Sequence, residues 1–377
     1  MNTFFLRYLV TMGIFLCLAN PPSTLADANV SADYPSLMSS LKIDDAHDFC
    51  DEEVPINNQE VRERFEKELL LSLWDRPQVI LWLKRSHRYL PHIEKILQEN
   101  GMPDDLKYIA VAESALRPHV GSKRGAIGFW QFTAATGRKY GLVVDEHVDQ
   151  RRNIFASTAA AIQYLKQLHQ DFGSWTLAAA AYNMGEGGLM AEIMEQGTNN
   201  YYLLYLPLET QQYLFRLLSV KLIFSDPESY GFRLTKKDTY PPLSFDQVQV
   251  ACSQEIPIRI VAQAAKTHFK TIKDLNPEIR GHYLTEGKHT ILIPIGASTG
   301  FQERYLSLEK KYSATREEKI YIVKEGDNLS IIADRFGIPL AALIIWNRID
   351  MQRPIHPGDR LIVNREFEDL VPSQTTD

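Results

Sequence analysis

A chain of 377 residues, 45% apolar and 23% charged, is long enough for two or three domains with cores of their own and has the composition of an ordinary globular protein. Its net charge of −6 is mild and no basic cluster interrupts it, so nucleic-acid binding lacks an electrostatic footprint. The histidines form no H-E-x-x-H and the cysteines no C-x-x-C, so neither a metal site nor a cofactor is implied.

Arg7 precedes an apolar run from Tyr8 to Ala19, Asn20-Pro21-Pro22 breaks it, and Ala26-Asp27-Ala28 offers small residues for cleavage. This is the layout of a secretory signal peptide over residues 1–28, too short to span a bilayer. No other stretch approaches about 18 apolar residues, so the mature chain is expected to be exported and soluble. Cys17 lies inside the signal, where a lipid would anchor the chain, but the bulky Leu16 before it argues against that processing. In an exported chain the remaining pair, Cys50 and Cys252, allows a disulfide, two free buried thiols being the alternative.

Residues 29–57 are polar and weakly patterned and read as an extended lead-in. From Asn58 a helix carries Val61, Phe65, Leu69 and Leu73 on one face and breaks at Asp75-Arg76-Pro77. A second helix carries Val79, Ile80, Trp82 and Leu83; a third runs from Leu90 to Asn100, with Gly101 as its stop. Leu106 to Leu116 reads as the next helix, ended by Pro118, and Glu113 falls on its apolar face with Leu106, Ile109 and Ala110. A carboxylate there is costly unless paired or protonated, so Glu113 is either a structural partner for a cation or a catalytic acid. A loop spaced by Gly121, Gly125 and Gly128 leads into Phe129-Trp130-Gln131-Phe132.

Thr133 to Tyr140 is helical and closed by Gly141, and an acidic loop with Asp145, Glu146 and Asp149 reads as solvated. Residues 153–172 form an alanine-rich helix with Ile162, Leu165 and Leu168 inward. The helix from Ser174 runs into Tyr182-Asn183-Met184-Gly185-Glu186-Gly187. A segment from Tyr201 to Phe224 holds a helix start at Pro207-Leu208-Glu209-Thr210, with Glu209 near its N-terminus. The helical domain is assigned to 58–235, with a core of about 95–225.

After Tyr240-Pro241-Pro242, residues 258–292 and 329–363 align without a gap at an offset of 71. Val261 matches Ile332, Ala262 matches Ala333, Ile272 matches Leu343, Asn276 matches Asn347 and Ile291 matches Ile362. Each copy reads as two short helices and a closing strand, the second with an opening strand at Ile320 to Lys324. The modules are assigned to 245–295 and 319–364, with a linker at 296–318 and a tail at 365–377. Gly296-Ala297-Ser298-Thr299-Gly300 matches G-x-S-x-G, but His356 is the sole later histidine and lies inside a repeat, so the match reads as linker.

Four stretches in order carry a resemblance: Glu113-Ser114, Gly128 to Phe132, Ala181 to Gly185, and Leu206 to Thr210 with Tyr213. With the Pro103 to Ala110 entry, they resemble the lytic transglycosylases of bacterial cell walls, of the membrane-bound murein transglycosylase D type. Residues Tyr321 to Val363, with Gly326-Asp327-Asn328-Leu329, are similar to the LysM module that binds N-acetylglucosamine-containing glycans. Phe129 and Trp130 depart from the usual Leu or Tyr and Met, and the copy at 258–292 lacks the Gly-Asp opening, as a degenerate LysM that packs rather than binds would.

The resemblance implies a mainly α, lysozyme-like catalytic domain of the goose-lysozyme or SLT type, followed by small α+β modules of βααβ form. It implies that Glu113 cleaves the β-1,4 bond between N-acetylmuramic acid and N-acetylglucosamine in peptidoglycan, leaving 1,6-anhydromuramic acid. Ser114, Phe129, Gln131, Tyr182, Asn183 and Tyr213 are its candidates for substrate binding. Gly326, Asp327, Asn328, Leu329, Ile349 and Asp350 are the candidates for glycan contact in the LysM copy. The partners implied are peptidoglycan strands in the periplasm or cell envelope, with an outer-membrane association if Cys17 is lipidated. A glycosidase usually needs two carboxylates. Asp145, Glu146 and Asp149 are weak candidates for the second, so a hydrolytic muramidase and a non-catalytic peptidoglycan-binding scaffold stand as the alternatives.

Overall fold

The computed structural model describes residues 35–41, 43, 46–314, 319–350 and 354–364. The expected signal peptide with Cys17, and the tail, lie outside them. Among the described residues no single helix is long and apolar enough to cross a membrane.

A hairpin of β1 (His47–Phe49) and β2 (Glu52–Val54) leads the fold. The sequence reading of this stretch as a lead-in is thereby corrected: Ile43, Phe49, Val54 and Ile56 are buried in the main core. In so short a hairpin only alternate residues point inward, too few to stand out as a pattern. The turn is tied down where the Cys50 N–H donates to Asp105 Oδ2 at 2.8 Å.

Helix α1 (Gln59–Trp74) is capped by Asn58, as its sequence requires. Helix α2 (Arg76–Glu99) is continuous where two helices were expected, with Pro91 inside it. Proline removes one helical hydrogen bond at a cost of about 3 kcal/mol. Val79, Trp82, Leu83, Leu90, Ile93 and Leu97 continue one buried stripe through it, and that burial carries the helix past the break. Helices α3 (Lys107–Ser114), α4 (Ala134–Lys139), α5 (Ile154–Phe172), α6 (Trp175–Met184), α7 (Glu186–Gln196) and α8 (Leu208–Ser225) complete the domain. Helix α8 packs on α1, α3 and α6, and α5 lies against α2 and α6. Thr133, Asn153 and Ser174 cap α4, α5 and α6 through their side chains.

The first module runs β3 (Phe245–Cys252), β4 (Ile256–Pro257), α9 (Ile258–Ala264), α10 (Phe269–Leu275), β5 (Tyr283–Leu284) and β6 (Gly287–Pro294). Helix α11 (Phe301–Ala314) follows, then β7 (Lys319–Ile322), α12 (Leu329–Phe336), α13 (Leu340–Asn347) and β8 (Arg360–Asn364). The outer strands pair antiparallel in each copy, β3 with β6 and β7 with β8.

Both copies are held by the same asparagine. Asn276 Nδ2 donates to the Ile272 and Leu292 carbonyls, and its Oδ1 accepts from the Leu292 N–H. Asn347 does the same with Leu343 and Ile362. Leu292 is thus the counterpart of Ile362, so the gapless alignment is corrected by one residue after the asparagine. The core positions Ile291 and Ile293 then fall on Leu361 and Val363, preserving the strand alternation.

The segment assigned as a linker holds α11, whose Phe301 and Tyr305 are buried in the core of the first module. They cover a specific face. Tyr321, Asp327 and Arg335 of the second copy form a polar cluster; in the first copy Arg335 falls at the offset of 71 on the buried Ala264, and by strand register Tyr321 falls on Val248, which packs on the same core.

Cys50 is buried in the main core, whereas Cys252 is buried in the first module with Sγ 3.6 Å from Tyr305 Oη; both are free thiols. The expected Cys50–Cys252 disulfide is corrected on that ground, since each sulfur belongs to a different core. Burial pushes the Cys50 thiol well above its ordinary value, so it resists oxidation as well. A chain lacking residues 1–28 is therefore expected to titrate two thiols on unfolding without reductant, and none while folded.

Candidate active site

Helix α3 ends abruptly because Ala115 and Leu116 both take left-handed backbone angles, φ 52° and 57°. Such residues cost of order 1–3 kcal/mol each and persist only where packing fixes them. Here Leu116 is fully buried and Ala115 nearly so. The helix is shorter than the periodicity predicts, and Glu113 stands in its last turn.

Glu113 is half-buried, and Tyr213 Oη from α8 donates to its Oε1 at 2.7 Å. Burial pushes the carboxyl up to about 7, against the Tyr213 hydrogen bond and the nearby Arg216, while Glu209 adds to the rise. It therefore exchanges a proton near neutrality, as one group acting first as acid and then as base requires. Tyr182 and Tyr213 are both pushed well above the ordinary tyrosine range, by burial and then by the Glu113 charge, so both stay neutral beside it, and Tyr213 is the one that donates to it.

Around this carboxyl, Tyr182 Oη donates to the Trp130 carbonyl at 2.6 Å. Asn183 Oδ1 accepts from Thr210 Oγ1 at 2.9 Å, joining the end of α6 to the start of α8. Gln131, at φ 50°, donates its amide to the Val120 and Gly128 carbonyls and so folds the glycine loop back on itself. Two candidates are corrected. Ser114 is buried and its hydroxyl donates to the Ala110 carbonyl at 3.0 Å, because one residue beyond Glu113 the helix has turned inward. Phe129 is buried against Tyr89, with ring centroids 5.1 Å apart. Its neighbour Trp130 is also buried and donates Nε1–H to Thr158 Oγ1 at 3.0 Å.

The acidic loop is not solvated throughout, which is a further correction. Asp149 is 1% exposed and pairs with Arg151 through both oxygens, at 2.8 and 2.9 Å. Burial opposes ionisation, but the Arg151 and Arg152 guanidinium groups hold its carboxyl below the usual range. Arg151 in turn donates to the Gly125 and Phe132 carbonyls, gripping both ends of the glycine loop. Asp145 accepts from the His147 and Val148 N–H groups, and Glu146 pairs with His147 at 3.2 Å. Asp149 is thus committed to its arginines and Asp145 to its own loop, while Glu146 stands exposed beside His147.

Sequence reasoning missed one carboxylate. Glu186, at the start of α7, accepts from Tyr164 Oη at 2.8 Å and from Lys139 Nζ at 2.9 Å. Lys139 and then Tyr164 hold it below its ordinary value, and the Tyr164 ring lies 5.3 Å from Tyr182. Its place within the Tyr182 to Gly187 stretch was the available signal, obscured by the glycines on either side.

In the second module, Gly326 takes φ 82°. Asp327 accepts from Tyr321 Oη at 2.6 Å and the Lys324 N–H at 2.8 Å, and pairs with Arg335 at 3.2 Å. Asn328 caps α12, accepting from the Ile331 N–H at 2.9 Å. Leu329 and Ile349 pack on the module core, and Asp350 is exposed. Asp327 and Asn328 therefore shape the opening loop.

Residues 91–204 match the Transglycosylase SLT domain and residues 321–364 the LysM domain. The chain is 30% identical over 293 residues to the membrane-bound lytic murein transglycosylase D of Escherichia coli K12, covering 74% of this chain and 64% of that protein. It is 37% identical over 121 residues to the peptidoglycan transglycosylase gp16 of Escherichia phage T7, covering 28% of this chain and 9% of that one. The chain thus spans just under two thirds of the length of the first of these relatives and a small part of the second. Among solved structures, the 70 kDa soluble lytic transglycosylase of Escherichia coli aligns with a TM-score of 0.34 at 20% identity, covering 49% of this chain and 31% of that one.

Proposed function

From a chain that carries a transglycosylase SLT domain at residues 91–204 and a LysM domain at 321–364, we propose a lytic transglycosylase of peptidoglycan. The observation that carries this reading is Glu113, a carboxyl pushed up to about 7 by burial and held by Tyr213. In its neutral form Glu113 gives its proton to the glycosidic oxygen between N-acetylmuramic acid and N-acetylglucosamine, and the bond from that oxygen to C1 breaks. The C6 hydroxyl oxygen of the muramic sugar then bonds to C1, and its proton returns to the Glu113 carboxylate. No water is consumed, and the product ends in 1,6-anhydromuramic acid. The Tyr213 hydroxyl supports Glu113 while it is charged, since a hydrogen bond to an ionised acceptor is about twice as strong as a neutral one.

The commitment of Asp145 and Asp149 to other partners favours this route over attack by water. Tyr182, Asn183 and Gln131 complete the proposed sugar site, and the LysM domain is proposed to hold the glycan strand. The relative from Escherichia coli, named membrane-bound, and the sequence leader support a place in the cell envelope. Mass spectrometry of murein digested by the mature chain is expected to find anhydromuropeptides. Reducing ends in their place would mean a hydrolase, and undigested murein that still binds the protein would mean a scaffold.

A further inference from the structure

We propose that Arg216 is a positioning residue for the reaction: anchored by the buried Glu68, it holds Glu209 across Tyr213 and offsets a negative charge that would otherwise stand alone beside Glu113. This rests on the catalytic reading of Glu113. Glu209, Tyr213 and Arg216 are spaced i, i+4 and i+7 in α8 and therefore share one face. From that face Tyr213 donates to Glu113 Oε1 at 2.7 Å, and Arg216 Nη1 donates to Glu209 Oε1 at 2.9 Å. Seven residues span about 10 Å of helix, so the two charged side chains lean toward each other and meet over the turn that carries Tyr213.

A second acid fixes the guanidinium from another helix. Glu68 of α1 is 4% exposed, and its Oε2 lies 3.5 Å from Arg216 Nε. Burial pushes the Glu68 carboxyl up, and the Arg216 charge opposes that rise. Arg216 is thus engaged at two of its nitrogens by acids on two helices, a use of the planar fork that an ammonium serves less well. Two charges act on Glu113 from α8: after the larger effects of burial and the Tyr213 hydrogen bond, Arg216 lowers its proton affinity and Glu209 raises it. The other groups around α3 are committed. Tyr182 of α6 stays neutral, and Arg85 of α2 and Arg117 donate to the Ala115 and Ser114 carbonyls at the C-terminal end of α3. At its other end Lys107 pairs with Glu94 and Asp104, and Asp105 with Lys221. Without Arg216 the Glu209 charge is unopposed, and Glu113 keeps its proton to higher pH.

The pH profile of kcat/KM for anhydro-end formation by the mature full-length chain tests this. Its alkaline limb marks loss of the Glu113 proton from the free enzyme. Arg216→Met is expected to move that limb up by roughly half to one pH unit, a modest shift for a neighbouring charge because the Glu209 side chain is exposed. Arg216→Lys keeps the charge and is expected to return the limb to the parental position. Arg216→Met combined with Glu68→Gln removes the buried acid that the single variant leaves unpaired, so the same shift is measurable even where Arg216→Met alone does not fold. A merely structural role would lower the profile without moving it. An unmoved limb in the methionine variants, or equal displacement by lysine and methionine, would overturn the proposal. Failure of the catalytic reading is a separate result, since the parent chain would then form no anhydro ends at any pH.

Discussion

Glu113→Gln is expected to lower turnover on murein by at least about 10²- to 10⁴-fold, the contribution of proton transfer by one positioned group. The amide fills the same volume and still accepts from Tyr213, so the substrate site keeps its shape while losing its transferable proton. The same substitution is expected to stabilise the fold above neutral pH. The folded carboxyl titrates at about 7 against an ordinary value of 4.5, so between those values the native state binds more protons than the unfolded one. Wild-type stability therefore falls as pH rises from about 4.5 to about 7, and below that window both states are protonated and the penalty is absent. The full shift corresponds to roughly 3 kcal/mol, reduced by solvent screening at a half-open site. Melting temperatures of the two chains should coincide near pH 4 and separate by pH 8, with the glutamine variant higher. Equal melting temperatures at pH 8, together with retained turnover, would remove Glu113 from the proposed chemistry.

The second large effect concerns the fold of the site. Gly128→Ala is expected to cost several kcal/mol and most of the soluble yield. A Cβ at this position would lie 1.9 Å from the Arg151 carbonyl oxygen and 2.5 Å from its carbon, and the backbone holds φ +87°. The left-handed conformation alone costs a side chain about 1–2 kcal/mol, and overpacking typically adds about 1–3 kcal/mol. At roughly 2–4 °C per kcal/mol for a domain of this size, the melting temperature should fall by about 5–20 °C. Gly187→Ala is the matched control. That residue is in α7 with nothing within 4 Å of its added Cβ, so the change should be neutral or slightly stabilising. Equal melting temperatures for the two variants would show that the approach of the glycine loop to Arg151 is looser than described.

Helix positions were legible wherever an apolar stripe met a capping residue, as at Asn58, Thr133, Asn153 and Ser174. The stripe also placed Glu113 on a buried face, which was enough to single it out. What escaped were features set by contacts remote in sequence. The stretch between Leu83 and Leu90 reads as a boundary between two helices, because the burial that carries α2 through it is set by the fold. Asp149 looked like one more loop acid, since the Gly125 and Phe132 carbonyls that hold Arg151 over it lie remote in sequence. Ser114 and Phe129 are substrate candidates by the resemblance alone, yet helix geometry turns the first inward and Tyr89 covers the second. Glu186 needed Tyr164 and Lys139 beside it before its environment could be recognised. The βααβ repeat was legible in the spacing of its asparagines, but the one-residue slip after Asn276 needed the strand register.

Helix α11 has a consequence for how the protein would hold an insoluble polymer. Phe301 and Tyr305 cover the core of the first copy, and among the described residues no such helix covers the second copy. Two open copies in tandem would raise the effective concentration of each for the same strand and multiply avidity by about 10²- to 10⁴-fold. Closing one makes the proposed grip monovalent. A monovalent grip releases quickly, so an enzyme built this way would visit many strands instead of remaining on one.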